Sequence, residues 1–393
     1  MTRTDFLRLC GAVGGTMSIQ SILNSCESST ESQATFEGSV LIIGAGAAGL
    51  TAGYLLAQRG IDFQIVEASS TYGGRTRQTT TFSDFPIPLG AEWLHVNESI
   101  LMDAVNDPSI QITTRTQEYA LNDSIGYVEN GVLSIDTIEQ VWGGESDQKF
   151  IGSTWFGFLE EYILPSVRDK ITFDTQIVSV DFQGGSVIIT DVNSQTFTAD
   201  KVIVSVPLKI LQDRDITFTP SLPERKIEVL NDAEVWGGMK VFLEFTESFY
   251  PTFLVFPDSD TDAGQRLYYD AAYGQQTSSH VLGLFAVGAQ AEPYQTRTGN
   301  DLRDYILQEL DAIFDGAPSR SFVKHIAQNW NEEPFIRAAY LADEAPSRIS
   351  RILSESIDDK VYFAGDAYTQ EDDWSSVHTA LRSAIDAVDE LIR

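Results

Sequence analysis

Residues 40–67 constrain the fold more than any other stretch. Val40-Leu41-Ile42-Ile43 is an unbroken apolar run, as expected of a strand buried on both faces of a parallel sheet. Gly44-Ala45-Gly46-Ala47-Ala48-Gly49 follows at once, and Leu50 to Arg59 then carries apolar residues at helical spacing, with Gly60 as the stop. Phe63-Gln64-Ile65-Val66 is a second short apolar strand, closed by Glu67. Each part has a physical task. Gly44 permits a tight turn, Gly46 lets backbone amides approach a pyrophosphate, and Gly49 lets the helix pack closely on the strand. The start of the helix, from Ala48 on, offers free N–H groups and a partial positive charge to phosphates. Glu67 lies at the distance of about 20 residues where a carboxylate accepts bonds from both ribose hydroxyls. Strand, loop, helix, strand and acid in this order predict a Rossmann-type dinucleotide site, and the acid disfavours a 2′-phosphorylated nucleotide.

The stretch before this unit reads differently. Arg3 and Arg8 give a basic start, a mildly apolar stretch runs from Leu9 to Leu23, and Leu23-Asn24-Ser25-Cys26 resembles a bacterial lipoprotein signal with Cys26 as the lipid-bearing residue. Residues 1–26 are therefore read as a signal segment and 27–38 as a tether. Thr2-Arg3-Thr4-Asp5-Phe6-Leu7-Arg8 resembles a twin-arginine export signal lacking its second arginine. An ordinary cleaved signal is the alternative, and a cytoplasmic protein follows if the segment is not functional. The apolar stretch is too short and polar to span a membrane, so a membrane link would be an anchor at Cys26. The chain has two cysteines, Cys10 and Cys26, so the body beyond them holds no disulfide and no thiolate site. Its four histidines show no metal-ligand spacing. Asp and Glu outnumber Lys and Arg by 57 to 26, a net charge of −31 that repels phosphate backbones and leaves nucleic acid an improbable partner.

Six further segments carry a resemblance. Gly73-Gly74-Arg75 and Gly90-Ala91-Glu92-Trp93-Leu94-His95 follow the first unit; Asp174 to Val180, Lys201 to Leu208, Gln328-Asn329-Trp330 with Tyr340, and Val361 to Asp366 come later in order. Together they resemble the flavin-dependent amine oxidase family, whose members act on monoamines, polyamines, amino acids and methylated lysine. The resemblance implies FAD as cofactor. It implies that Gly74 and Arg75 lie at the pyrophosphate, that Gly90, Ala91, Glu92, Trp93 and Trp330 line the flavin region, and that the Val178 backbone meets the adenine. Pro207 belongs to the family's strand and turn, Gly365 and Asp366 to the second FAD strand, and Ser376 and Val377 to a helix start aimed at the flavin. In one branch a cysteine before the tyrosine attaches the flavin; here that position is Ala339, so noncovalent FAD is expected.

Trp236-Gly237-Gly238-Met239-Lys240-Val241-Phe242-Leu243-Glu244-Phe245 reads as one strand, and its lysine matches the family lysine that holds a water at flavin N5. Lys240 is the leading catalytic candidate, with Trp330 and His95 beside it. The implied reaction is hydride transfer from an amine or amino acid to the flavin, hydrolysis of the imine, and reoxidation by oxygen or another acceptor. Two departures stand against the pattern: Val96 replaces a usual glycine, and Ser376 replaces a tyrosine of the aromatic cage, with Trp374 nearby as a substitute. Arg77, Arg337 and Arg382 are candidates to bind a substrate carboxylate. A desaturase-like enzyme on an apolar substrate and a noncatalytic surface lipoprotein that retains FAD remain alternatives. The expected architecture is α/β: an FAD-binding domain assembled from 38–95, 172–212 and 328–393, and a discontinuous α+β substrate domain with a mixed sheet from 96–171 and 213–327.

Overall fold

The run Ser39–Ile43 is the middle strand of a five-stranded parallel sheet in the order Ile171–Thr172, Asp62–Val66, Ser39–Ile43, Lys201–Val204, Val361–Phe363. The computed structural model describes residues 36–143, 147–256, 263–343 and 345–393. The expected signal segment, Cys26 and most of the tether lie outside these residues.

Alternation along the central strand sorts its side chains into two cores. Val40 and Ile42 join Phe63, Ile65, Ile203 and Tyr362 on one face, and Leu41 and Ile43 join Val66, Val202, Val204 and Phe363 on the other. The first face is covered by helix Ala47–Gln58 and by the C-terminal helix Val377–Leu391, which bury Leu50, Tyr54, Leu381, Ala384 and Val388 against it. The second face is covered by a four-stranded sheet built from 177–219, through Ile177, Val180, Val187 and Ile189. Apolar material on both sides of a parallel sheet is the Rossmann-like arrangement that the strand pattern requires.

A seven-stranded mixed sheet forms the second body, in the order Phe322–Asn329, Gly238–Phe245, His280–Gly288, Gly264–Asp270, Phe253–Val255, Ser124–Glu129, Val132–Thr137. Only the Phe253–Val255 to Ser124–Glu129 pairing is parallel. The strand expected over 236–245 breaks at Gly237: Val235–Trp236 turns away to pair with Tyr340–Leu341, and Gly238–Phe245 enters the large sheet. Helix Gly299–Ile313 covers one face of this sheet with Leu302, Ile306 and Leu310. A three-stranded sheet, Trp93–Leu94, Gln148–Ile151 and Arg115–Glu118, places Lys149 directly opposite Trp93. Among the described residues no helix is long and apolar enough to cross a membrane.

Candidate active site

A cavity of about 710 Å³ runs from the glycine loop to the large sheet. Its first end is backbone. Gly44 sits at φ +107°, in the left-handed region that the turn needs, and the space beyond the Gly46 α-carbon is open. A β-carbon on Gly49 would lie 2.0 Å from the Gly44 carbonyl oxygen, so this glycine permits the close approach of helix and strand and does not itself line the cavity. Glu67 is held rigidly: one carboxylate oxygen accepts from the Ala45 amide at 2.7 Å, the other from the Ser69 amide and hydroxyl at 2.9 Å. Arg75 forms a bidentate pair with Asp366 at 2.9 and 2.5 Å and also donates to the Ala339 carbonyl. Open space over Gly46, a helix N-terminus behind it and a fixed carboxylate at the end of the second strand, lining the same cavity, fit a dinucleotide such as FAD.

The structure brings most of the expected site residues to this one cavity. Gly44, Gly46, Ala48, Glu67, Gly74, Arg75, Gly90, Ala91, Glu92, Trp93, His95, Pro207, Lys240, Trp330, Gly365, Asp366, Ser376 and Val377 all line it. Val178 does not; it falls at a β-bulge between Ile177 and Ser179, and Gln176, Ile177 and Val192 line the wall there. Ser376 caps helix Val377–Leu391, its hydroxyl accepting from the Thr379 amide at 3.4 Å. Trp374 lines the cavity too, with its indole N–H donating to the Ala342 carbonyl at 3.1 Å.

At the other end Lys240 rises from a central strand, not an edge, and is 3 % exposed. Its ammonium donates to the Tyr269 hydroxyl at 2.7 Å and to Glu92 Oε2 at 3.1 Å, and the Tyr269 hydroxyl donates to the same oxygen at 2.7 Å. The other oxygen of Glu92 takes the Lys149 ammonium. The Glu92 carboxylate, which lines the cavity as expected from the sequence, is thus wholly engaged by side chains. Burial alone would push the Glu92 carboxyl up. The Lys149 and Lys240 ammonium groups and the hydrogen bonds from Lys149 and Tyr269 outweigh it and hold the carboxyl down at about 2. Burial lowers Lys240 to about 8, against the opposing pull of Glu92. The ring of Trp93 lies under the Lys240 ammonium at 5.0 Å.

A third group joins from the C-terminal helix. His95 Nδ1 lies 2.9 Å from Asp147, His378 Nε2 lies 2.5 Å from Asp373, and the two rings sit edge to face with centroids 6.2 Å apart. Burial would lower His95, but Asp147, Asp373 and Asp343 together raise it. Trp330 is buried, donates to the Leu89 carbonyl at 3.1 Å, and carries the Arg77 guanidinium at 5.5 Å over its ring. Arg77, read as a candidate for a substrate carboxylate, is paired with Glu333 at 2.7 Å. Arg337 and Arg382, the other two candidates, are bound to Asp213 at 2.9 Å and to Glu371 at 3.0 Å. Lys149, Tyr269, Asp147, Asp343 and Asp373 were not among the residues singled out from the sequence.

The fold and this cavity agree with what the chain matches. Residues 141–392 match the family of flavin containing amine oxidoreductases, and residues 42–107 match the NAD(P)-binding Rossmann-like domain. The chain belongs to the flavin containing amine oxidoreductase family and is an oxidoreductase acting on the CH–NH group of amines. It is 22 % identical to polyamine oxidase 4 of Oryza sativa subsp. japonica, over 92 % of this chain and 90 % of that one. Polyamine oxidase 2 of Arabidopsis thaliana is 23 % identical over 93 % and 90 %. A solved structure of wild-type putrescine oxidase bound to putrescine superposes with a TM-score of 0.71 at 14 % identity, covering 91 % of this chain and 99 % of that one.

Proposed function

We propose that the chain oxidises a di- or polyamine, with FAD held noncovalently and oxygen as the final acceptor. One observation carries the choice of substrate. Beyond the dinucleotide end the cavity is lined by Asp147, Asp343 and Asp373 beside two histidines, while both arginines that line it, Arg75 and Arg77, are neutralised by Asp366 and Glu333. Such a lining attracts a second ammonium group and, among the described residues, offers no free guanidinium to a carboxylate, which favours a diamine over an amino acid. The net charge of −31 adds long-range attraction for polycations.

Gly44, Gly46 and the N-terminus of helix Ala47–Gln58 would hold the FAD pyrophosphate, Glu67 the ribose, and Arg75 with Asp366 the adjoining chain. When bound, FAD would supply the two-electron chemistry, taking up a hydride equivalent from the amine carbon and returning the electron pair to oxygen as hydrogen peroxide. The protein's own groups do the rest. The reacting nitrogen must be neutral for its lone pair to assist C–H cleavage, while the distal ammonium would meet Asp343 together with Asp147 and Asp373, which are already paired with His95 and His378. Trp93, Phe285, Trp330 and Tyr340 line the cavity with rings that exclude water. Lys240 supplies a fixed positive charge where negative charge develops. Ala339, in place of the attaching cysteine, supports noncovalent binding.

The test is an anaerobic absorbance titration with diamines, polyamines, monoamines and amino acids. Bleaching of the flavin bands by di- or polyamines at the lowest concentration is expected, with colour and peroxide returning in air. Bleaching by amino acids alone, or by nothing in the panel, sinks the proposal. The N-terminal segment is proposed to be an export signal with a lipid at Cys26. Fatty-acid labelling that is lost in Cys26→Ser is expected, and an unlabelled full-length cytoplasmic protein rules it out.

A further inference from the structure

A carboxylate shared by two buried ammonium groups is an unusual thing for a protein interior to hold. Lys240 and Glu92 alone would form a neutral pair. Lys149 adds a second cation that is 3 % exposed and does not line the cavity. Among the described residues, Glu92 is the one carboxylate in ion-pair contact with either lysine. With Tyr269 un-ionised, as burial and the neighbouring Glu92 charge require, the three ion-paired groups carry two positive charges against one negative, with the buried Asp270 carboxyl within reach of the Lys149 charge. Burying that excess is unfavourable, and an apolar residue of similar volume at position 149 would remove the cost. The strand pairing of Trp93 with Lys149 needs only backbone, so sheet formation does not explain the lysine.

We propose that Lys149 is a positioning residue for the oxidation: through the shared Glu92 carboxylate it fixes Lys240 and leaves the cluster with a net positive charge at the reacting end of the cavity. The geometry divides the carboxylate cleanly. Lys149 holds Oε1, so Oε2 is left to Lys240 and Tyr269, which close a three-membered ring of hydrogen bonds. That ring uses two of the three Lys240 ammonium protons, and the Lys240 side chain lines the cavity. A neutral Lys240–Glu92 pair would present a dipole there; the added charge of Lys149 makes it a net cation, which favours arriving negative charge.

The groups facing the cluster come from every neighbouring element. Trp93 and Phe285 stack their rings near Lys240, and Phe242 does so from its own strand. The Tyr119 hydroxyl accepts from the Trp93 indole N–H at 3.0 Å and feels the Glu92 charge. Asp270 lies on the Lys149 side; burial raises its carboxyl and Lys149 pulls it back, with His280 and Asp123 beyond. None of these contacts the Lys240 ammonium as an ion pair.

The inference rests on the reading that Lys240 serves the flavin reaction, and the experiment separates the two. In the flavin-loaded full chain, the titration of Lys240 is followed by NMR of ¹³C-labelled lysine, its resonance assigned by loss in Lys240→Arg. The pH profile of kcat/KM and the midpoint potential of the bound flavin are measured alongside. In Lys149→Met a like charge is gone and Glu92 serves Lys240 alone, so the Lys240 titration and the alkaline limb of kcat/KM should both move to higher pH by about one unit, a tenfold change in proton concentration. The flavin potential should fall. Glu92→Gln should move the titration the opposite way, and Lys149→Arg should keep the wild-type values. If all three variants lose stability and rate while the Lys240 titration stays fixed, Lys149 is a packing residue and the proposal fails. If the titration moves but neither the kinetic limb nor the potential follows, the assignment of Lys240 to the reaction fails, and this role for Lys149 with it.

Discussion

Two glycines of the dinucleotide motif, Gly46 at the helix N-cap and Gly49 inside helix Ala47–Gln58, answer separately to folding and to cofactor. Gly46 has an extended backbone, φ −76° and ψ −176°, that alanine adopts without strain, and a β-carbon there meets nothing within 4 Å. In flavin-free protein Gly46→Ala restricts the unfolded chain, a gain of about 0.4–1 kcal/mol. It also weakens the helix N-cap, where alanine is poorer than glycine by about the same amount, so the net change is near zero. With FAD present the methyl group occupies the approach to the loop amides. Losing one charge-assisted hydrogen bond, about 1.5–3 kcal/mol, raises Kd by about tenfold to 150-fold. Gly49→Ala does the reverse. Its β-carbon would lie 2.0 Å from the Gly44 carbonyl oxygen and 2.7 Å from the Ser205 hydroxyl, where ordinary contact begins at 3.4 Å, so loop and helix must part. Overpacking of this kind costs about 1–3 kcal/mol or more. With an unfolding entropy of about 2.1 cal/mol/K per residue over roughly 350 residues, this lowers Tm by about 1.5–4 °C. Thermal unfolding of flavin-free protein and fluorescence titration with FAD measure the two effects. A flavin-free Gly46→Ala protein as unstable as Gly49→Ala, or one that binds FAD with wild-type affinity, would refute the assignment of open space above Gly46 to the cofactor.

Two other predictions concern single side chains. Asp147 is the strongest of the carboxylates that raise His95, so the stability it provides is full below the unfolded histidine value of about 6.5 and is lost as pH rises through the higher folded value. Asp147→Asn is therefore expected to destabilise more at pH 6 than at pH 9 in urea unfolding, and equal losses at both would count against the pairing. Lys226 is buried and donates to the carbonyls of Ile352, Leu353 and Glu355 at 2.9, 2.7 and 2.8 Å, satisfying the C-terminus of helix Arg348–Ser354. Lys226→Met removes the ammonium donor from all three oxygens, of which Ile352 keeps only the Glu355 amide at 3.4 Å, and should cost about 2–4 kcal/mol in chemical denaturation; a variant of wild-type stability would show that the contact carries no weight.

The dinucleotide end was legible because its determinants are local. A strand, a loop, a helix and an acid follow one another within residues 39–67, so their spacing alone fixes their relation. The reacting end was only half legible. Lys240 could be picked out by its neighbours in sequence, but its partners come from afar: Lys149 meets Glu92 across 57 residues and Tyr269 meets it across 177. Those meetings depend on strand register, and a shift of one residue would turn each side chain to the opposite face. One signal was present. Gly283 interrupts the apolar run of His280–Gly288 directly opposite Tyr269, and a β-carbon there would lie 2.5 Å from the tyrosine ring. A glycine inside such a strand marks a bulky neighbour lying across it. Asp147 and Asp373 had no signal of this kind, since an acid in a loop of so acidic a chain looks like surface.

The parallel sheet takes its fifth strand, Val361–Phe363, from near the end of the chain, and the helix that follows packs onto the first helix, Ala47–Gln58. This has a consequence for the order of assembly. Until residue 363 has been made, Lys201–Val204 is an open apolar edge able to pair with other chains. Until residue 391 has been made, one flank of the first helix is bare. A nascent chain thus leaves the flank of its first helix uncovered from residue 58 until residue 391, and the sheet edge open from residue 204 until residue 363. Loss of the last thirty residues would not trim the molecule but leave it unlatched.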